Sequence, residues 1–111
     1  NDGTIAPCGM AGSIVFDPEA SLNGLKYLYD NYSSFLYGRY GFKDAFNLDK
    51  GWWAEEHLGI DVGITLVMIE NFRSGLVWEK FMKLDAIKRW IDLCLTREMP
   101  ANSQSQIPVD K

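Results

Sequence analysis

Histidine and cysteine are scarce in this chain of 111 residues, which contains one histidine, His57, and two cysteines, Cys8 and Cys94. A single imidazole cannot supply two histidine ligands to a metal ion, and no serine or cysteine motif near His57 indicates a catalytic triad. The cysteines lie far apart in the sequence, so they form neither a zinc knuckle nor a redox dithiol motif. We expect two buried free thiols and assign His57 no catalytic role.

Positive charge is also in short supply. Eleven Lys and Arg residues against fifteen Asp and Glu residues leave a formal net charge of −4. Nucleic acids and anionic membranes bind proteins whose cations displace counterions, so we expect no nucleic-acid partner. The longest largely apolar run, Val62 to Ile69, is far shorter than the roughly twenty residues of a membrane helix. We therefore expect no membrane span.

Common motifs for phosphate, dinucleotide, zinc and calcium binding are missing: no GxxxxGK[ST] loop, no GxGxxG after a strand, no HExxH and no calcium loop. The sequence therefore indicates no cofactor. What it does contain is a 47% hydrophobic fraction with 23% charged residues, which is typical of a folded globular protein. Its length allows one small domain at most.

The first strong helix signal begins at Asp17, which is suited to cap first-turn amides, and Pro18 fits the first helical position. Apolar residues at spacings of three and four then predict one packed face on a helix that runs to about Tyr32: Leu22, Leu25, Tyr29 and Tyr32. The preceding residues show no helical period. We interpret residues 1–16 as a loop that ends in a short extended run from Ser13 to Phe16.

Three further helices are predicted towards the C-terminus. Residues 61–72 are apolar on every face, which is typical of a helix buried on all sides, and a domain of 111 residues can hardly enclose such a helix. Residues 76–82 and 85–95 form two amphipathic helices after a break at Gly75. From residue 98 onward the sequence is polar and contains two prolines, so we expect a loose or docked tail.

Between these helices lies a stretch rich in aromatic residues and glycine, which we interpret as a long loop. Residues 37–47 read YGRYGFKDAFN, residues 58–63 read LGIDVG and residues 68–78 read MIENFRSGLVW. With the opening APCGMAGS, these motifs closely resemble the bacterial glucoamylase-like family over about residues 4–95. Members commonly read YGFYDAFN, GIDQGP and LLMIENYRTGLIW. The family includes endo-β-1,2-glucanases and the glucoamylase-like domains of cyclic β-1,2-glucan synthases.

This resemblance implies an all-α fold, the (α/α)6 toroid, of which the chain could supply only a C-terminal segment and hence an incomplete barrel. Residues 1–97 would belong to that domain and residues 98–111 would form the polar tail. The implied partner is the remaining N-terminal part of the same enzyme, which another chain could supply. The family is often exported, which suggests a periplasmic or secreted protein.

The resemblance also implies a glycoside hydrolase that acts on a glucan, with β-1,2 linkages as the specific candidate. Hydrolysis of a glycosidic bond needs two carboxyl groups that flank it. We assign Asp44 to the base side, because the matching family residue lies in the active-site cleft, and expect the general acid outside this chain. One alternative is a non-hydrolytic carbohydrate-binding or glucan-processing domain of a larger synthase. A second is a free-standing helical interaction protein, which would fold by itself as a monomer.

Both acidic candidates have structural alternatives. Asp44 could instead hold the amides of its own loop, as aspartate often does in turns. Asp61 could bind a sugar hydroxyl at the start of its helix, or its carboxylate could cap the first-turn amides, and these two roles are compatible. Glu70, within the apolar helix, is expected to form an ion pair with Arg73.

Aromatic side chains in the loop are the candidate sugar-binding surface, because flat apolar rings stack on the C–H face of glucose. We select Tyr40, Phe42 and Trp53, with packing of the loop itself as the alternative. Two departures from the family pattern leave the substrate preference open. Lys43 replaces a common Tyr, and residues 62–64 replace Gln-Gly-Pro, which removes a possible sugar contact.

Overall fold

The computed structural model describes residues 2–95. These residues form five helices and two small antiparallel hairpins. The elements in chain order are α1 (Pro7–Gly12), α2 (Pro18–Leu36), β1 (Tyr37–Gly38), β2 (Gly41–Phe42), β3 (Phe46–Asn47), β4 (Trp52–Trp53), α3 (Gly59–Ser74), α4 (Leu76–Met82) and α5 (Asp85–Leu95).

The N-terminal segment differs from the expected loop. Residues 7–12 form helix α1, and the Ser13 amide donates to the carbonyls of Gly9 and Met10, so residues 13–16 turn rather than extend. Pro7 at the first helical position is buried and supplies a backbone angle suited to a helix. Six residues are too few to show a helical period, which is why the sequence pattern missed this element.

Helix α2 begins as predicted and ends later. The Ala20 amide donates to Asp17 Oδ1 over 3.0 Å, which confirms Asp17 as the N-cap, and the helix continues to Leu36. The predicted packing face is only partly used within this chain, because Leu22 and Tyr29 are about half exposed. The buried apolar side chains of α2 are instead Leu28 and Leu36.

The predicted aromatic loop folds into two hairpins. Tyr37 pairs with Phe42 in the first, and Phe46 pairs with Trp53 in the second. Together with Leu28 and Leu36, Phe46 forms the main core cluster, against which further side chains pack: Met10, Tyr32, Phe42 and Trp53. The aromatic residues of this stretch are therefore largely used to build a local core.

The described residues do not bury helix α3 on all sides, as expected of a chain too small to enclose it, and burial of its remaining faces by other parts of the enzyme stays a prediction. Its only buried residue among those described is Asn71, whereas Ile60 is 79% exposed and Leu66 is 68% exposed. The helix ends at Gly75, whose positive φ of 71° suits glycine and lets its amide donate to the Asn71 carbonyl. The bounds of α4 and α5 agree with the prediction.

The chain divides into two compact units between Trp78 and Glu79. The first contains α1 to α3 and both hairpins, and the second contains the end of α4 and all of α5. In the second unit, an apolar pocket is lined by side chains of α4 and α5: Phe81, Met82, Ile87, Trp90 and Ile91. The assignment of residues 1–97 to one domain stays a prediction, and the predicted polar tail lies outside the described residues.

Two predictions about single side chains have separate outcomes. The predicted ion pair between Glu70 and Arg73 is confirmed, with 3.2 Å between Arg73 Nε and Glu70 Oε2. Ser74 Oγ also donates a hydrogen bond to the Glu70 carboxylate. Both cysteines are free, as expected, but Cys8 is only half-buried and Cys94 is exposed. The expectation of two buried thiols is therefore wrong, because α5 presents Cys94 on a surface that the described residues leave uncovered.

Candidate active site

A cavity of about 190 Å³ opens between α1, α2, the β1–β2 hairpin and α3. Its walls are mainly apolar, with a few polar side chains. The two longer helices contribute Leu25 from α2 and Asp61, Val62, Thr65 and Ile69 from α3, and the short helix α1 contributes Pro7, Cys8 and Ala11. The β1–β2 hairpin contributes Tyr37, Tyr40, Gly41 and Phe42, and Lys43 follows directly after β2.

Small residues in α1 allow the walls of this cavity to approach one another. Helix α1 contacts both α2 and α3. At Gly12, a Cβ atom would stand 3.6 Å from the Ile64 side chain, so the two helices meet closely there. Ala11, which also lines the cavity, is 2% exposed. The short helix thus joins two longer helices that the sequence separates by more than twenty residues.

Asp44 is held between the two hairpins by backbone hydrogen bonds on both sides. Its amide donates to the Glu56 carbonyl over 3.1 Å, and the Ala54 amide donates to the Ala45 carbonyl over 2.9 Å. The side chain is half-buried, and its neighbour Lys43 lines the cavity. Residues 54–56 therefore fix the backbone from which the Asp44 carboxyl projects.

The Asp44 carboxyl meets the carboxyl of Asp61. Their proximity raises the pKa of Asp44 above its ordinary value, first because the two groups can share a proton in a hydrogen bond. Partial burial and the negative charges of Asp61 and Glu56 raise the same pKa further. Asp44 therefore holds its proton to a higher pH than an isolated aspartate.

Asp61 does not cap helix α3, so that structural alternative is wrong. The N-cap position is Leu58, and Asp61 lies in the first turn of the helix. Its Oδ2 atom is buried and accepts no hydrogen bond from residues 2–95. Two carboxylates can share a hydrogen bond only while one of them is protonated, so this contact is lost when Asp44 ionises.

Cys8 is the third polar group at this point, and the sequence reasoning missed it as a site residue. Burial raises the pKa of the Cys8 thiol. The negative charge of Asp61, a hydrogen bond from the thiol to Asp61 and the charge of Asp44 raise the same pKa further. A thiol in such surroundings stays protonated and is a poor nucleophile. Its position in α1 brings it to the carboxyl pair, and no feature of a lone cysteine in the sequence could have indicated this.

Two of the predicted aromatic residues line the cavity. Tyr40 is 61% exposed, and its ring lies edge-on to His57 with 5.6 Å between centroids. The Arg39 guanidinium lies 5.4 Å from the centroid of the same ring. Phe42 is half-buried and stands edge-on to Tyr37, which also lines the cavity. Tyr40 therefore offers the more accessible aromatic surface.

Trp53 lies in a different place, within an aromatic stack of the core. Its ring is 5.4 Å from Phe46 and 5.2 Å from Phe35, in stacked arrangements. Asp61, Tyr40 and Phe42 thus line one cavity, Asp44 meets Asp61 beside it, and Trp53 lies in the core packing. A direct sugar contact by Trp53 stays a prediction.

Neither a metal cluster nor a membrane helix occurs in the described part of the chain. Within residues 2–95, no group of three or more His, Cys, Asp and Glu side chains has the geometry to hold a metal ion. Over the same residues, no helix is both long enough and apolar enough to cross a bilayer.

Comparison with known proteins gives consistent matches. A family model described as "Putative glucoamylase" matches residues 1–85. Over 91 residues, the chain is 41% identical to an exo β-1,2-glucooligosaccharide sophorohydrolase (non-reducing end) from Parabacteroides distasonis. That alignment covers 82% of this chain but only 13% of the relative.

Solved structures give the same result. A crystal structure described as a "putative glucoamylase" from Bacteroides uniformis is 43% identical, with a TM-score of 0.75 over 82% of this chain and 22% of that protein. An endo-β-1,2-glucanase from Chitinophaga pinensis, in complex with sophorotriose and glucose, is 34% identical, with a TM-score of 0.74. The match covers 81% of this chain and 22% of that protein. The match confirms the predicted fold class, a helical segment of the (α/α)6 glucoamylase-like fold. The chain spans only 13% of the first of these relatives, from Parabacteroides distasonis, and 22% of the second, from Bacteroides uniformis.

Proposed function

The chain belongs to the family described as "Putative glucoamylase", and on that premise we propose that it forms part of the active site of a glycoside hydrolase that cleaves a β-1,2-linked glucan. The observation that carries this proposal is the Asp44–Asp61 carboxyl pair beside a cavity lined by aromatic residues. Two relatives named as β-1,2-glucan hydrolases support the choice of linkage.

Asp44 acts on the base side of the reaction. A carboxylate is a stronger base when its pKa is raised, provided that it is ionised at the working pH. The neighbouring Asp61 raises the pKa of Asp44, so the ionised Asp44 carboxylate is a stronger base than an isolated aspartate. In this role Asp44 takes a proton from the attacking water while the glycosidic bond breaks on the opposite side.

The general acid comes from outside the described residues. Acid and base carboxyls flank a glycosidic bond at separations of about 5 to 9.5 Å, whereas groups that share a proton lie at about 3 Å. Asp44 and Asp61 therefore cannot be the two opposed catalytic carboxyls and instead work as one unit. The opposed acid would come from the remaining N-terminal part of the enzyme.

Two further observations support an incomplete site. The cavity of about 190 Å³ is smaller than the roughly 300–1,000 Å³ typical of ligand pockets, as expected if other walls are missing. Helix α3 also exposes large apolar side chains such as Ile60 and Leu66, which a folded protein normally covers. The remaining helices of the toroid would cover this face and close the site.

Aromatic residues at the cavity would bind the sugar. Tyr40 exposes most of its ring and Phe42 forms part of the wall, so both can contact the apolar face of a glucose unit. Lys43, which also lines the cavity, can donate hydrogen bonds to sugar hydroxyls.

The test is Asp44→Asn in the full-length product of the gene that encodes this chain. We expect release of reducing ends from β-1,2-glucan to fall by about 10²- to 10⁴-fold, the usual contribution of a general base, with glucan affinity retained. Asp30→Asn is the matched control, because it neutralises an exposed carboxylate of α2 that is paired with Lys26. Unchanged turnover in Asp44→Asn would refute the site. Glucan binding without hydrolysis by the wild-type protein would favour the non-hydrolytic alternative.

A further inference from the structure

Residues 54–57 form one short connection between the carboxyl pair and the β1–β2 hairpin. Ala54 and Glu56 hold the backbone around Asp44, as described above. The next residue, His57, is half-buried, and its Nε2 atom lies 3.2 Å from the carbonyl oxygen of Gly41 in β2. The same segment thus contacts both the base and the hairpin that carries Tyr40.

The hydrogen bond to Gly41 determines where the proton of the His57 ring lies. A carbonyl oxygen can only accept a hydrogen bond, so Nε2 must carry the hydrogen. His57 therefore acts as a donor to the hairpin.

The same edge of the His57 ring, formed by Nε2 and Cε1, also meets Gly38 in β1. A Cβ atom at Gly38 would stand 2.8 Å from His57 Cε1 and 3.0 Å from Nε2, which is too close for an unshifted ring. Gly38 and Gly41 face each other in the hairpin register. The imidazole therefore contacts both residues of the pair that closes the turn.

Tyr40 lies within that turn, and its ring is edge-on to His57. A two-stranded hairpin of this size is not stable by itself, so its turn needs support from side chains outside it. We propose that His57 is a positioning residue that fixes the β1–β2 turn and so holds Tyr40 at the mouth of the cavity. The consequence for glucan binding rests on the proposed function.

The first test compares His57→Ala with His57→Gln in the full-length gene product. Loss of the hydrogen bond and ring contact in His57→Ala should raise the KM for a β-1,2-glucooligosaccharide by about 3- to 10-fold. The kcat should change less than about twofold, because the backbone bonds at Asp44 remain. The glutamine retains an N–H donor of similar reach, so the KM of His57→Gln should lie between those of His57→Ala and the wild type. A wild-type KM in His57→Ala, or a loss confined to kcat, would overturn the proposal.

Gly38→Ala supplies a double-mutant cycle. The backbone at Gly38 does not have a positive φ, so alanine is tolerated there except for its contact with the His57 ring. Gly38→Ala should raise KM in the wild-type background and have no further effect in His57→Ala, where the space is free. Multiplicative effects of the two substitutions would show that Gly38 and His57 act separately and would overturn the proposal.

A third measurement does not depend on activity. Arg39 in the same turn is a trypsin site, and the rate of cleavage after it reports how firmly the turn is held. We expect faster cleavage at Arg39 in His57→Ala than in the wild type, His57→Gln or the control Asp30→Asn. An equal rate would overturn the positioning role even if glucan is hydrolysed. If the wild type does not act on glucan but the cleavage rates differ as expected, the proposed function fails and the positioning role stands.

Discussion

The hairpin region and helix α3 are both rich in large apolar side chains but use them in opposite ways. In the hairpin region, Phe46 is 1% exposed and Leu36 is fully buried, and aromatic rings stack on one another. In α3, Ile60 and Leu66 remain mostly exposed. The inner side of the hairpin region is therefore packed within this chain, although Tyr40 and Trp52 remain exposed, whereas most large apolar side chains of α3 are left uncovered by the described residues. The carboxyl pair lies where the two regions meet, with one aspartate from each.

The largest effect on stability is expected in the hairpin core. Phe46→Ala removes a ring that packs on Leu28, Leu36 and Trp53, and should lower the free energy of unfolding by about 3–5 kcal/mol. Chemical denaturation of the full-length protein measures this change. An effect below about 0.5 kcal/mol, typical of a surface site, would contradict a core centred on Phe46.

Leu66→Ala sharpens the comparison, because its effect depends on what covers α3. If the rest of the toroid packs on this face, the substitution should destabilise the full-length protein by about 2–3 kcal/mol, as at a buried site. A change below about 0.5 kcal/mol in the same denaturation experiment would show that Leu66 is a surface residue and that α3 needs no cover.

A smaller effect is expected from Asp44→Asn on stability, with the sign opposite to its effect on activity. The pKa of Asp44 is raised in the folded state, so its ionised form is disfavoured there. Stability contributed by this group is present below the ordinary aspartate pKa and is lost as the pH rises through the raised pKa. Asparagine carries no charge, so the variant avoids the cost of ionising this group in the folded protein. The melting temperature at neutral pH should therefore rise slightly in Asp44→Asn. A melting temperature at neutral pH equal to or below that of the wild type would contradict the assigned shift.

The sequence predicted the elements whose signals are local. Asp17 marks the start of α2 and Gly75 marks the end of α3, and both act in the structure as their residue types suggest. Helix α1 is too short to show periodicity. The hairpin strands contain only two residues each, which is too short for an alternating pattern to show. The bridge between Ile5 and Phe46 joins residues far apart in the sequence, so no short pattern contains it.

The candidate site was only partly predictable. The family resemblance selected Asp44 and Asp61, but their meeting depends on how α3 packs against α1, which spacing does not encode. Cys8 and His57 have no distinguishing neighbours in the sequence, and their contacts arise only in the folded chain. Trp53 illustrates the reverse problem, since an aromatic residue suited to bind sugar is equally suited to fill a core.

The pH dependence of kcat/KM in Asp61→Asn tests most directly whether the carboxyl pair is the base. The substitution removes the negative charge that raises the pKa of Asp44 and places an amide donor beside it, so the pKa of Asp44 should fall. We therefore predict that the acidic limb of the kcat/KM profile for β-1,2-glucan moves to lower pH, while activity at the optimum remains measurable. An active Asp61→Asn protein whose acidic limb coincides with that of the wild type would contradict the account.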